Sequence, residues 1–154
     1  MSFLNRLYKE KKIQIVEPNE NVKKAYLERS LESITSARTL YKINNLKDAV
    51  ALTYYSMYYS LLALLFRTGI KCENHTGTIL LLKEVFNIND TRIEKAKKER
   101  VDKQYYVDFT VTKEEVQEMI RTAEEFNAEI LDFAEKLNNE KIENYRKKAK
   151  IVLK

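Results

Sequence analysis

Apolar residues recur along this chain at helical spacing. After Pro18, a first long helix is predicted from the cap Asn19, with Glu20 in its first turn and Val22, Tyr26, Leu27, Leu31, Ile34, Ala37, Leu40 and Tyr41 along its stripe. "INN" at 43–45 ends it. The second helix is capped by Asn45, with Asp48 completing a near capping box, and stops at Gly69. From Ala49 to Phe66 it has almost no polar side, so it belongs at the centre of a bundle or against a second copy of the chain. The loop "IKCENH" leads into a shorter helix, "TGTILLLKEVF", that ends near Asn87. A fourth helix starts at Asn89 or Asp90 and reads "TRIEKAKKERVDKQYY". Ile93, Ala96 and Arg100 form its inner stripe, Val101 and Tyr105 lie beside it, and Lys95, Lys98 and Lys103 face water. Thr112 with Glu115 makes a capping box that opens a fifth helix, whose stripe runs from Val116 through Phe126 to Leu137.

The expected architecture is an all-α, up-and-down bundle of four to five helices in one domain over 1–154. A lead segment, 1–17, docks through Phe3, Leu4, Leu7 and Ile13. A basic extension, 138–154, is expected as a frayed or separate helix. Two glycines and one proline in 154 residues leave too few turn residues for a sheet protein.

The single cysteine, Cys72, excludes an intramolecular disulfide, and with the lone His75 it offers too few soft ligands for a structural zinc. No metal or cofactor is therefore expected. The longest apolar run, Ser60–Phe66, is short for a bilayer span and the chain start has no apolar signal core, so the reading is cytoplasmic with no membrane partner. Charge is uneven: 105–135 holds nine carboxylates against two basic groups, and 136–154 holds seven basic groups against two carboxylates. Such segments face partners of opposite charge or water.

Two glycines cannot build a phosphate-cradling loop, and no Glu-x-x-His pair supports a di-iron bundle. What remains is "KKERVDKQYY" at 97–106. Arg100 lies on or beside an apolar face, where a guanidinium must be paired or must look into a cleft. Asp102, Tyr105 and Tyr106 follow it, with Lys97 and Lys103 as neighbouring phosphate ligands. The ordinary reading of the two tyrosines is as core anchors that end a helix. Likewise Tyr54, Tyr55, Tyr58 and Tyr59 read first as packing residues and second as a base-stacking platform. His75 reads first as a capping or hydrogen-bonding residue at a helix start and second as an accessory to Arg100.

In order and spacing, "TYYSMYYS", "NHTG", "RVDKQYY" and "VTKEEVQEMIRTAEEF" resemble the HEPN-domain proteins, in particular small prokaryotic ones paired with a minimal nucleotidyltransferase. The likeness covers most of the chain. It implies a helical bundle that forms a homodimer, with the arginine motifs of two copies near one cleft. It also implies a toxin–antitoxin or defence-like module. Catalytic members are metal-independent ribonucleases with an Arg-x(4–6)-His motif. Histidine takes a proton near neutral pH and arginine holds phosphate as charge builds on it. Here Tyr105 or Tyr106 stands where that histidine is expected. A tyrosine with a pKa near 10 is a poor base at pH 7. The resemblance therefore implies binding of RNA or nucleotide phosphate, or of a nucleotidyltransferase that adenylylates Tyr105 or Tyr106. An endoribonuclease and a purely structural dimer are the alternatives.

Overall fold

The computed structural model describes residues 1–105 and 110–154, without the side chains of Gln104 and Tyr105. The elements are α1 (Phe3–Lys9), β1 (Ile13–Ile15), α2 (Glu20–Lys42), α3 (Leu46–Thr68), β2 (Ile70–Cys72), α4 (His75–Glu84), α5 (Thr91–Arg100), α6 (Lys113–Glu135) and α7 (Asn139–Val152). The chain is a helical bundle, as the periodicity predicts. Asn19 caps α2 by accepting from the Val22 amide at 3.0 Å. Gly69 ends α3 in the left-handed conformation, φ 79°. The Thr112–Glu115 capping box forms in full. Asn45 flanks α3 but makes no side-chain cap bond, so the near capping box with Asp48 does not form.

The core helix is α3, with 15 of its 23 residues buried. Its full length and composition would suffice to cross a bilayer, which the short run Ser60–Phe66 had concealed, yet 78% of the 18-residue apolar window within it is buried inside the fold. Its few polar groups are internally satisfied. Thr53 donates to the Ala49 carbonyl at 2.7 Å, and Ser60 to that of Met57 at 2.9 Å. Asn127 Oδ1 of α6, 2.8 Å from the same Ser60 hydroxyl, shares its single proton with the Met57 carbonyl. A hydroxyl bonded back to its own helix is no bar to an apolar environment. The α2 and α6 stripes cover α3 on two sides. Lys23, 3% exposed, ties those two helices together through Glu20 at 3.0 Å and Glu135 at 2.6 Å. Burial opposes its charged form, but the hydrogen bonds to Glu135 and Glu20 raise its pKa overall.

Three features differ from the expectation. First, β1 and β2 pair antiparallel, Ile13 opposite Cys72 and Ile15 opposite Ile70. Strands of three residues are too short to show alternation in sequence. Second, 138–154 is a separate helix, one of its two expected forms, and it is not frayed. Asn138 caps α7, and Ile142, Ala149 and Leu153 are buried among its lysines. Third, the fourth predicted helix does not continue in regular α form. After Arg100 it widens into a π-helical turn over Val101–Tyr105. Lys103, expected in water, is half-buried there and donates to the Thr110 carbonyl at 2.8 Å. Lys95 and Lys98 are exposed as expected.

The small sheet places the next helix. The strand β2 and the two residues after it, 70–74, span at most roughly 16 Å. That is about the length of the last three turns of α3. The chain thus returns from Gly69 to the level of Tyr54 and Tyr58 before Asn74 caps α4, accepting from the Gly77 amide at 2.8 Å.

Candidate functional site

His75 is the first residue of α4 and Asn74 is its cap, so the histidine side chain is left for other contacts. Nδ1 lies 2.8 Å from the Tyr54 hydroxyl. The imidazole stacks on Tyr58, centroids 3.9 Å apart and planes 18° apart, and meets the edge of Tyr55 at 6.2 Å. These tyrosines come from consecutive turns of α3. Tyr54 is fully buried.

Arg100 arrives from α5. Ile93 and Ala96 seat that helix in the core. Arg92 pins its start by pairing with Glu129 and lying 5.1 Å over the Phe126 ring. Near its end, Lys97 donates to the Thr76 hydroxyl at 2.7 Å, which joins α5 to the first turn of α4. The half-buried guanidinium of Arg100 then lies over two α3 rings, 5.5 Å from the Tyr54 centroid and 5.1 Å from that of Tyr55. His75 and Arg100 are thus gathered on one tyrosine shelf, with Lys97 beside them.

The electrostatics follow from that gathering. Burial, then the positive charges of Arg100 and Lys97, hold His75 below its ordinary pKa of 6.5, so it is neutral at pH 7. Burial drives the Tyr54 phenol well above its ordinary value of 10, with a smaller contribution from Tyr58. Tyr58 is likewise raised, chiefly by burial. The Tyr54–His75 bond therefore joins two neutral groups. If the Nδ1 proton is donated to the phenol oxygen, Nε2 is left as a free base. In that tautomer a proton acceptor stands beside a fixed positive charge; in the other, with the phenol donating to Nδ1, Nε2 carries the proton.

Among the residues singled out in sequence, Arg100, Lys97 and His75 come together. Asp102 and Lys103 follow in the π-helical turn, half-buried. The side chains of Tyr105 and Tyr106 lie outside the described residues, so their assignment to the motif position does too. Sequence reasoning missed Tyr54 as the histidine's partner and Thr76 as the lysine's. The only trace of the former was a histidine at a helix start in a chain whose core helix carries four tyrosines.

A family model of the HEPN domain matches residues 23–137, from α2 to the end of α6 and across both His75 and Arg100. A protein of Methanocaldococcus jannaschii named "Putative toxin MJ0605" is 30% identical over 109 residues, covering 66% of this chain and 81% of that protein. The chain belongs to the HEPN family.

Proposed function

We propose that this chain is the HEPN component of a toxin–antitoxin or defence-like module and that it acts on RNA at the His75–Arg100 cluster as a metal-independent endoribonuclease. The observation that carries the reading is the shared shelf. A neutral histidine, bonded to Tyr54, sits beside an arginine held over Tyr54 and Tyr55. The histidine absent from the position after Arg100 is supplied by α4. The archaeal relative's printed name supports a toxin role.

In this reading Nε2 of His75 takes the proton of a ribose 2′-hydroxyl. The 2′-oxygen forms a bond to phosphorus, the bond from phosphorus to the 5′-oxygen breaks, and that leaving oxygen takes a proton from solvent. Arg100 and Lys97 offset the charge that builds on the phosphoryl oxygens. Tyr54 fixes the ring and its tautomer.

Incubating the protein with single-stranded RNA in EDTA should yield fragments ending in 2′,3′-cyclic phosphate. Arg100→Ala and His75→Ala should each slow cleavage about 100-fold or more. Intact RNA at high wild-type concentration ends the reading. If, in addition, a minimal nucleotidyltransferase with ATP adds adenylate mass to the tryptic peptide that carries Tyr105 and Tyr106, the function passes to the partner-modified alternative.

A further inference from the structure

The shelf continues past Arg100. Tyr55 stacks on Tyr59, centroids 5.9 Å apart and planes 26° apart. Tyr59 stacks on Tyr26 at 6.0 Å, and Tyr26 on Phe66 at 5.6 Å, with planes 22° and 16° apart. All four rings are half-buried, so the row has a solvent edge between α2 and α3. Arg29 of α2 lies on this row, its guanidinium 4.6 Å over the Tyr59 ring, and it donates to the Tyr59 hydroxyl at 3.0 Å. Arg29 is exposed and, among the described residues, has no carboxylate within ion-pair range.

An exposed arginine ordinarily loses its geometry to side-chain entropy or to a neighbouring carboxylate. Here a ring and a phenol fix the guanidinium, and no opposing charge cancels it. Arg29 on Tyr59 repeats what Arg100 does on Tyr55, one helical turn along α3. Two guanidiniums on adjacent stacked rings fall within the span of a few nucleotides of one extended strand. A row of aromatic edges flanked by cations suits a flexible strand, whose bases can turn toward the rings, better than a stacked duplex.

We propose that Arg29 and Tyr59 form a second binding subsite, for a phosphate and its neighbouring base in single-stranded RNA, that lines up with Arg100. This rests on the reading that RNA is the substrate at the His75–Arg100 cluster. It adds where the strand runs and which strandedness is preferred.

The test is fluorescence anisotropy of a labelled ten-nucleotide single-stranded RNA in EDTA over a range of salt, using the His75→Ala background so that the probe stays intact. Arg29→Ala in that background should weaken binding about 10-fold and make the salt slope shallower by roughly 0.7, one phosphate contact on a single strand. Tyr59→Leu should weaken it to a similar degree, and a duplex of the same sequence should compete poorly. Because Arg29 is exposed, its variant should lose no more than the few degrees of melting temperature that an exposed cation–π contact carries. An unchanged affinity and salt slope for Arg29→Ala overturns the subsite, as does an absence of RNA binding by the parent. Binding that depends on Arg29, in a protein that never cleaves, sustains the subsite and sinks only the nuclease reading.

Discussion

Two arginines, Arg100 and Arg146, are held at different ends of α3 in opposite ways. Arg146 of α7 has a side chain only 11% exposed. Its Nη1 donates to the carbonyls of Val16, Thr68 and Gly69 at 2.7, 2.9 and 3.2 Å, and Glu143 lies 3.5 Å from Nε. It closes the C-terminal end of α3, where carbonyls lack helical partners and carry partial negative charge. The approach is so close that a Cβ on Gly69 would collide with Arg146 Nη1 and the Val16 carbonyl. Arg100 instead lies half-buried on the faces of Tyr54 and Tyr55, beside a histidine whose pKa is depressed by burial and then by its charge. A guanidinium engaged by three backbone carbonyls serves the fold. In the function proposed above, one presented on aromatic faces next to a neutral base meets the phosphate.

The sharpest test of that contrast is stability. Arg146→Ala takes the Arg146 bond from the Val16 and Thr68 carbonyls, Gly69's keeping the Val16 amide, and should cost about 2–4 kcal/mol. For a chain of this size the melting temperature should fall by roughly 5–15 °C. The Tyr54 and Tyr55 contacts that Arg100→Ala removes are on the scale of a partly exposed cation–π pair, about 0.5–1 kcal/mol. Equal losses in thermal denaturation would break the contrast and make Arg100 structural as well. RNA binding should show the reverse order, with Arg100→Ala impaired and Arg146→Ala unchanged at a temperature where both are folded.

A smaller effect separates the histidine's support from the arginine's. Tyr54→Phe keeps the buried ring and its cation–π face but removes the 2.8 Å bond to His75. The expected loss is about 1 kcal/mol. The imidazole 15N shifts should report a changed tautomer balance. If those shifts match the wild type, the bond does not set the tautomer.

The smallest effect concerns pH. The folded pKa of His75 lies below 6.5, the ordinary value. Between those two values the unfolded chain binds more protons, so stability falls as pH drops through that window and levels off beneath it. His75→Ala should flatten this part of the stability–pH profile, measured by urea denaturation at each pH. A profile that keeps its slope in the variant would mean other groups produce it.

Much of the fold was legible locally. Asn19, Gly69 and the Thr112–Glu115 pair act within a few residues of themselves, and each marks its helix boundary. Local grammar failed where the outcome depended on distant chain. The extension 138–154 looked separate because its apolar positions are sparse among lysines, yet Ile142, Ala149 and Leu153 find the core. In the candidate site, Arg100 was legible as a charge on an apolar stripe, which demands an explanation wherever it sits. That His75 would hydrogen-bond at a helix start was legible too; its partner was not, because Tyr54 is 21 residues away.

The sequence by itself determined the long helices, the caps at Asn19 and Thr112, the burial of α3 and the presence of an arginine at the end of α5. It could do so because caps and amphipathic stripes are set by residues one or two turns apart. Only the tertiary structure decided that His75 and Arg100 share one tyrosine shelf. That meeting depends on the two short paired strands carrying the chain back along α3 before α4 begins, and on Lys97 bonding to Thr76 across two helices. Packing between distant segments leaves no period in the sequence from which it could be read.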